Sequence, residues 1–165
     1  MLGIRPYRIG DAKTIVNWCK DEEAFYKWSA GILGEYPLTA DRMEGFIKEK
    51  AENDYFFPFV AFDENGIVGY FILRKPADEP DELRLGFIII SPELRGKGYG
   101  RKMLELGLKF AFEIYGASKA SLGVFENNES AYYCYKAVGF KESGVSETYQ
   151  INGEAWKCIV MEIVK

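Results

Sequence analysis

The sequence contains no histidine, and this absence removes several classes of enzyme at once. Ser-His and Cys-His catalytic pairs and histidine-based metal sites all need an imidazole ring. The three cysteines, Cys19, Cys134 and Cys158, lie far apart and form no C-x-x-C pair, so neither a disulfide framework nor a metal site is expected. Acid–base chemistry must therefore come from carboxylates, tyrosine, lysine, cysteine or water.

Long apolar runs are also missing. No stretch approaches the length needed to span a membrane, and the first residues lack the layout of a signal peptide. The formal net charge of −4 argues against nucleic acid as the main partner. With 165 residues, 48% hydrophobic and 16% aromatic, the chain predicts one domain, residues 1–165, with a sizeable core. We therefore expect a cytoplasmic protein that binds neither a membrane nor nucleic acid.

The order of predicted elements indicates a mixed α/β sheet with helices on its faces. Apolar residues at helical spacing predict helices that begin near Ala12, Glu22 and Ala40, with Thr39 as the cap of the third. Two further helices are predicted, a long one from the end of the glycine loop to about Tyr115 and a second over 129–136. Strands are predicted over 3–8, 55–62, 67–74, 82–90, 119–124, 138–143, 146–150 and 155–163. Asn65-Gly66 is a strong hairpin signal between the second and third strands.

The most informative segment is a glycine-rich loop, R-G-K-G-Y-G at positions 95–100, between an apolar strand and a helix. The start of a helix leaves backbone N–H groups without partners and carries a partial positive charge. Glycine allows the backbone to approach a ligand with no side chain in the way. The loop therefore predicts a site for phosphate or pyrophosphate.

Two common phosphate loops do not fit the residues. The dinucleotide fingerprint G-x-G-x-x-G fails because Arg101 stands where the third glycine is needed. The P-loop fails because Gly98 follows Lys97 where a magnesium-binding hydroxyl is required. A nucleotide-binding domain of either kind is therefore disfavoured.

The loop matches the pattern [Q/R]-x-x-G-x-[G/A], and a second segment at 128–140 matches N-x-x-A-x-x-x-Y-x-x-x-G-F. These two segments, in this order and separated by a helix and a strand, resemble the signatures of the GNAT superfamily of acetyl-CoA-dependent N-acyltransferases. The resemblance is strong over residues 82–140 and covers the flanks only in outline.

The resemblance implies a mixed, mostly antiparallel sheet of about seven strands flanked by helices. It also implies acetyl-CoA as the co-substrate, with no metal, and direct acetyl transfer to a primary amine on a small molecule or a protein N-terminus. A homodimer is possible in this family. The alternative is a non-catalytic acyl-CoA-binding regulatory module, and turnover of acetyl-CoA with a panel of amines would separate the two.

The resemblance also assigns roles to individual positions. Tyr135 matches the tyrosine that protonates the leaving thiolate, and Asn128 matches a helix cap that also touches the cofactor. The strand before the loop would lie along the pantetheine arm, with the N–H near Ile88 as the oxyanion donor. The expected cofactor-binding residues are Ile88, Ile90, Arg95, Gly96, Lys97, Gly98, Tyr99, Gly100, Asn128 and Tyr135.

The general base is the open question. Strict alternation along the strand places residues 82, 84, 86, 88 and 90 on one face, and many family members carry a glutamate there. In this sequence Arg84 occupies that place, so Glu82 is the first candidate, and a water held by backbone groups is the alternative. Arg84 could bind a carboxylate or phosphate of the acceptor, or pair with Glu82. Aromatic candidates for the acceptor pocket are Trp28, Tyr36 and Trp156.

Overall fold

The computed structural model describes all 165 residues and contains a seven-stranded sheet in the order β1-β2-β3-β4-β5-β7-β6. The strands are β1 (Gly3–Pro6), β2 (Phe56–Asp63), β3 (Gly66–Arg74), β4 (Glu82–Ile90), β5 (Lys119–Phe125), β6 (Lys141–Ile151) and β7 (Glu154–Val164). Only β4 and β5 run parallel to each other. The expected mixed, mostly antiparallel sheet is therefore confirmed.

Helices pack on the sheet as the periodicity predicts. They are α1 (Ala12–Ile15), α2 (Glu22–Ser29), α3 (Ala40–Lys50), α4 (Tyr99–Lys109) and α5 (Glu129–Val138), and α4 continues as a π-helical turn over Phe110–Tyr115. The predicted cap of α3 is confirmed, since the Thr39 hydroxyl accepts the N–H of Arg42 at 3.2 Å. None of the helices combines the length and apolar character needed to cross a bilayer.

The two strands predicted over 138–143 and 146–150 are one strand, β6. The β6–β7 register shifts between Glu142 and Ser146, around Gly144 with a φ of 87°. A glycine in this conformation absorbs a bulge without ending the strand. Most residues of β6 are exposed because it is an edge strand.

Two hydrophobic clusters cover the two faces of the sheet. Phe71 and Leu73 of β3 point into the cluster beneath α4 and α5, whereas Tyr70 and Ile72 point into the cluster beneath α1, α2 and α3. We call these sides the α4–α5 face and the α1–α3 face. The sheet is thus the middle of three layers.

The parallel pair β4–β5 is joined only over a short distance. Its pairs run from Glu82 with Lys119 to Arg84 with Ser121, and no pairing continues beyond them. Past these three pairs, which we call the β4–β5 seam, the two strands diverge. Backbone groups that face the gap therefore lack a strand partner.

A β-bulge interrupts β4 next to this gap. Ile72 pairs with Gly86 and Tyr70 pairs with Ile89, so β4 has one residue more than β3, and Phe87 adopts a φ of 49°. The prediction of strict alternation along 82–90 is therefore wrong. Beyond the extra residue, each side chain points to the face opposite to the one that alternation predicts. Ile90 therefore shares a face with Leu85 rather than with residues 84 and 86.

Candidate active site

A cavity of about 780 Å³ opens where β4 and β5 diverge. Its walls come from the end of β4, the loop before α4 and the start of α5, and from Cys19 to Trp28 on the α1–α3 face. Because both faces contribute, the cavity passes through the sheet at the gap. The predicted residues that line it are Ile88, Ile90, Arg95, Gly96, Gly98, Gly100, Asn128 and Tyr135.

The glycine loop forms part of the cavity wall. Gly96 and Gly98 have φ angles of 75° and 84°, which L side chains rarely adopt, and Gly98 is the N-cap of α4. The N–H groups from Gly96 to Arg101 donate to no acceptor within the protein. A row of free donors at a helix start is suited to bind an anion.

Fewer side chains of the loop line the cavity than the sequence predicts. Lys97 and Tyr99 do not line the cavity, and the Tyr99 hydroxyl donates to Asp63 at 3.2 Å. Arg95 lines the cavity, but its Nε donates back to the Ile90 carbonyl at 3.3 Å. The loop therefore presents mainly backbone to a ligand.

Tyr135 is the tyrosine of α5 that lines the cavity. Tyr133 is 64% exposed, and the Tyr132 hydroxyl donates to Glu142 at 2.6 Å outside the cavity. The phenol of Tyr135 makes no hydrogen bond within the protein, and burial raises its pKa above the ordinary value. The proton of Tyr135 is thus retained through neutral pH and remains available for transfer.

Asn128 stands at the N-cap of α5, as predicted, but its side chain makes no capping hydrogen bond. The predicted cap interaction is therefore wrong. The amide lines the cavity instead, where its donor and acceptor atoms are free for a ligand.

Glu82 does not line the cavity. It accepts a hydrogen bond of 2.5 Å from the Ser121 hydroxyl and lies 3.1 Å from the Lys119 ammonium. Its hydrogen bond with Lys119 raises the pKa of that lysine. Ile88 is six residues further along β4, roughly 20 Å at ~3.3 Å per residue. The structure thus does not bring the predicted base to the proposed oxyanion donor; it places Glu82 in the β4–β5 seam.

Substituting Glu82 by glutamine should lower the free energy of unfolding by about 1–2 kcal/mol, because the buried seam loses a charged hydrogen bond. The pH profile of kcat should stay unchanged. Glu162→Gln is the matched control, since Glu162 contacts the same lysine at 3.5 Å and is more exposed. Chemical denaturation measures the free energy of unfolding, and kinetics across the pH range measure the profile of kcat. If the acidic limb of that profile were lost in Glu82→Gln but not in Glu162→Gln, Glu82 would be the base.

Several lining residues were not predicted. On α5 they are Ser130, Ala131 and Cys134, of which Ala131 could have been found because it lies one helical turn before Tyr135. On the α1–α3 face, Trp28 lines both this cavity and a neighbouring one of about 270 Å³ that also contacts Tyr36. Trp156 lines neither and packs edge-on against Phe125.

The family model of the acetyltransferase (GNAT) family matches residues 15–140. The chain belongs to this family. It is an acetyl-CoA-dependent N-acetyltransferase that acts on a primary amine, and the comparisons give no support to a non-catalytic binding module.

Relatives with different acceptors are similar to this chain to nearly the same degree. The spermine/spermidine N(1)-acetyltransferase of Bacillus subtilis (strain 168) is 30% identical over 122 residues, which is 71% of this chain and 77% of the relative. An N-alpha-acetyltransferase of Sulfurisphaera tokodaii is 29% identical over 118 residues, 66% of this chain and 70% of the relative.

The structure of Vibrio cholerae spermidine N-acetyltransferase in complex with CoA and spermine superimposes with a TM-score of 0.83 at 26% identity, covering 99% of this chain and 95% of that one. A second structure of the Vibrio enzyme is dodecameric, and one of its chains superimposes on this chain with a TM-score of 0.74 at 25% identity.

Proposed function

We propose that acetyl-CoA binds in the cavity with its pyrophosphate on the backbone N–H groups of Gly96 to Arg101. The observation that carries this proposal is the row of unpaired donors at one end of a cavity that crosses the sheet. Glycine at 96 and 98 leaves room for the phosphate oxygens, and the positive end of α4 favours their charge.

The pantetheine arm would lie along the end of β4. This part of β4 has lost β5 as its neighbour, so its outward backbone groups can pair with the amides of the arm. In that position the N–H near Ile88 would stabilise negative charge on the thioester oxygen as the amine attacks.

Tyr135 would donate its proton to the sulfur as the carbon–sulfur bond breaks. The burial that raises the phenol pKa also makes a thiolate in the same cavity more basic, so the donor and acceptor of the proton stay matched. The proton lost by the amine would pass to water, because the cavity carboxylates are engaged. Asp21 accepts the N–H of Ala24 at 2.8 Å, and Glu23 lies 2.9 Å from Lys27.

Acetyl-CoA should raise the melting temperature of the protein, because a ligand that binds only the folded state at a hundredfold excess over its Kd adds about 2.7 kcal/mol. Thermal melts with acetyl-CoA and NAD, and without ligand, check this expectation. NAD is the control because it also carries a pyrophosphate. No shift with acetyl-CoA, or a larger shift with NAD, would contradict the proposal.

Residues 1–165 would form one catalytic domain, since all strands join one sheet. A cytoplasmic location is supported by the use of acetyl-CoA and by three unpaired cysteines, which suit a reducing compartment. A homo-oligomer, with a dimer as its smallest form, is supported by the Vibrio dodecamer and by the exposed edge strand β6.

A further inference from the structure

Two arginines stand side by side on the α1–α3 face of the sheet. Arg74 of β3 and Arg84 of β4 are directly opposite each other in the antiparallel ladder. Like charges at opposed positions destabilise a sheet unless something compensates them. Nη2 of Arg84 lies 3.0 Å from Oε1 of Glu147, whereas the guanidinium of Arg74 makes no hydrogen bond or ion pair. The two guanidinium groups therefore have one carboxylate contact between them, and Arg84 makes it.

The other carboxylates nearby are already engaged. Glu82 and Glu162 both contact Lys119, at 3.1 and 3.5 Å. Arg74 is exposed at the end of β3, and partial desolvation together with the charge of Arg84 lowers its pKa. An anionic group between the two guanidinium planes would relieve this repulsion and use their free donors.

Neither arginine lines the cavity, but the side chain of Arg84 reaches toward it. Arg84 pairs with Ser121 in the parallel ladder, yet its Nη2 lies 2.9 Å from the position that a Cβ would take on Gly123, which lines the cavity. The side chain thus leans along the strands toward the gap. Measured along the strand direction, Ile88 lies about two residues beyond Gly123, a distance of roughly 7 Å at ~3.3 Å per residue.

We propose that the acceptor is a primary amine that also carries a carboxylate or phosphate roughly 7 Å from the reacting nitrogen, a spacing set by the strand rise. Arg74 and Arg84 hold this anionic group, and Glu147 is the carboxylate that keeps Arg84 in place until the acceptor arrives. This inference rests on the transfer site proposed above. The α-amine of a free amino acid is too close to its own carboxylate, since one carbon bears both groups, and a polyamine places positive charge against the arginines.

Two sources share this chemistry, a peptide N-terminus with an early acidic side chain and a phosphorylated amino sugar. Each is tested against a neutral counterpart: peptides that begin Ser-Asp and Ser-Asn, and glucosamine 6-phosphate and glucosamine. Spermidine is the cationic probe. We expect kcat/KM at least tenfold higher for the anionic member of one pair, with spermidine the poorest acceptor. The pair that shows the preference identifies the source.

Variants connect the preference to the arginines. Arg74→Gln should raise KM for the anionic acceptor by about 10–100-fold, the worth of charged hydrogen bonds, and leave KM for the neutral one unchanged. Glu147→Gln should act oppositely and lower KM for the anionic acceptor, since it removes the competing carboxylate from Arg84. Lys48→Gln is the control, because Lys48 is exposed on α3 and its loss changes the net charge equally.

The outcomes separate this inference from the proposed function. Faster transfer to spermidine than to either anionic acceptor would overturn the inference and leave the acetyl-CoA site intact. An unchanged ratio of anionic to neutral KM in Arg74→Gln and Glu147→Gln would also overturn it. Failure of acetyl-CoA to stabilise the protein, with no transfer to any amine, would overturn both.

Discussion

Substituting Tyr135 by phenylalanine should lower kcat by about a hundredfold to ten-thousandfold, the usual contribution of a general acid. The phenol supplies its proton only as the thiolate leaves, so the loss falls on the transition state and the Kd of acetyl-CoA should stay nearly unchanged. The ring still fills its place beside Phe140, so the fold should survive. Steady-state kinetics with thiol-release detection and calorimetric titration with acetyl-CoA measure both quantities.

Tyr132→Phe is the matched control. Its hydroxyl contacts Glu142 outside the cavity, so kcat should stay near that of the wild type. The values of kcat should be compared across the pH range. An effect confined to one limb of the pH profile of kcat would report amine deprotonation instead. Full turnover in Tyr135→Phe at every pH would remove this tyrosine from the mechanism.

Substituting Gly100 by aspartate should weaken acetyl-CoA binding by at least about a hundredfold. The carboxylate would stand in the first turn of α4, where two charges ~4 Å apart repel by about 4 kcal/mol at an effective dielectric constant of ~20. The site is better suited to this test than Gly98, whose φ of 84° strains any side chain.

Gly100→Ala isolates the charge from the added volume. A Cβ at Gly100 meets Cys134 Sγ at 3.5 Å and Ile90 Cγ1 at 3.7 Å, which are ordinary contacts, so alanine should bind acetyl-CoA almost normally. Lys97→Ala should also have a small effect, because Lys97 lies outside the cavity. Equal losses of affinity in Gly100→Asp and Lys97→Ala would mean that side chains rather than backbone hold the phosphate.

The features that the sequence predicts well are those with a local physical cause. The Thr39 cap of α3, the Asn-Gly turn and most of the order of strands and helices follow from neighbouring residues, and the structure agrees with them. The glycine loop was identified in the same way, because free N–H groups at a helix start depend on the loop alone. Its role in binding acetyl-CoA stays a prediction.

The features that the sequence could not supply depend on distant strands. The bulge at Phe87 lies where β4 remains paired with β3 on one side and has left β5 on the other. No local pattern reveals it, so the alternation that placed Glu82 beside Ile88 was wrong. The hydrogen bond from Arg95 Nε to the Ile90 carbonyl likewise depends on the tertiary structure.

The short seam between β4 and β5 divides the sheet into two halves, one formed by β1 to β4 and the other by β5 to β7. A thioester arm that occupies the gap would act as a surrogate strand, completing ladders that the polypeptide leaves open. The co-substrate would then be a structural element as well as a reactant. Amide hydrogen exchange along the end of β4 would slow with each binding event and recover when the product thiol departs.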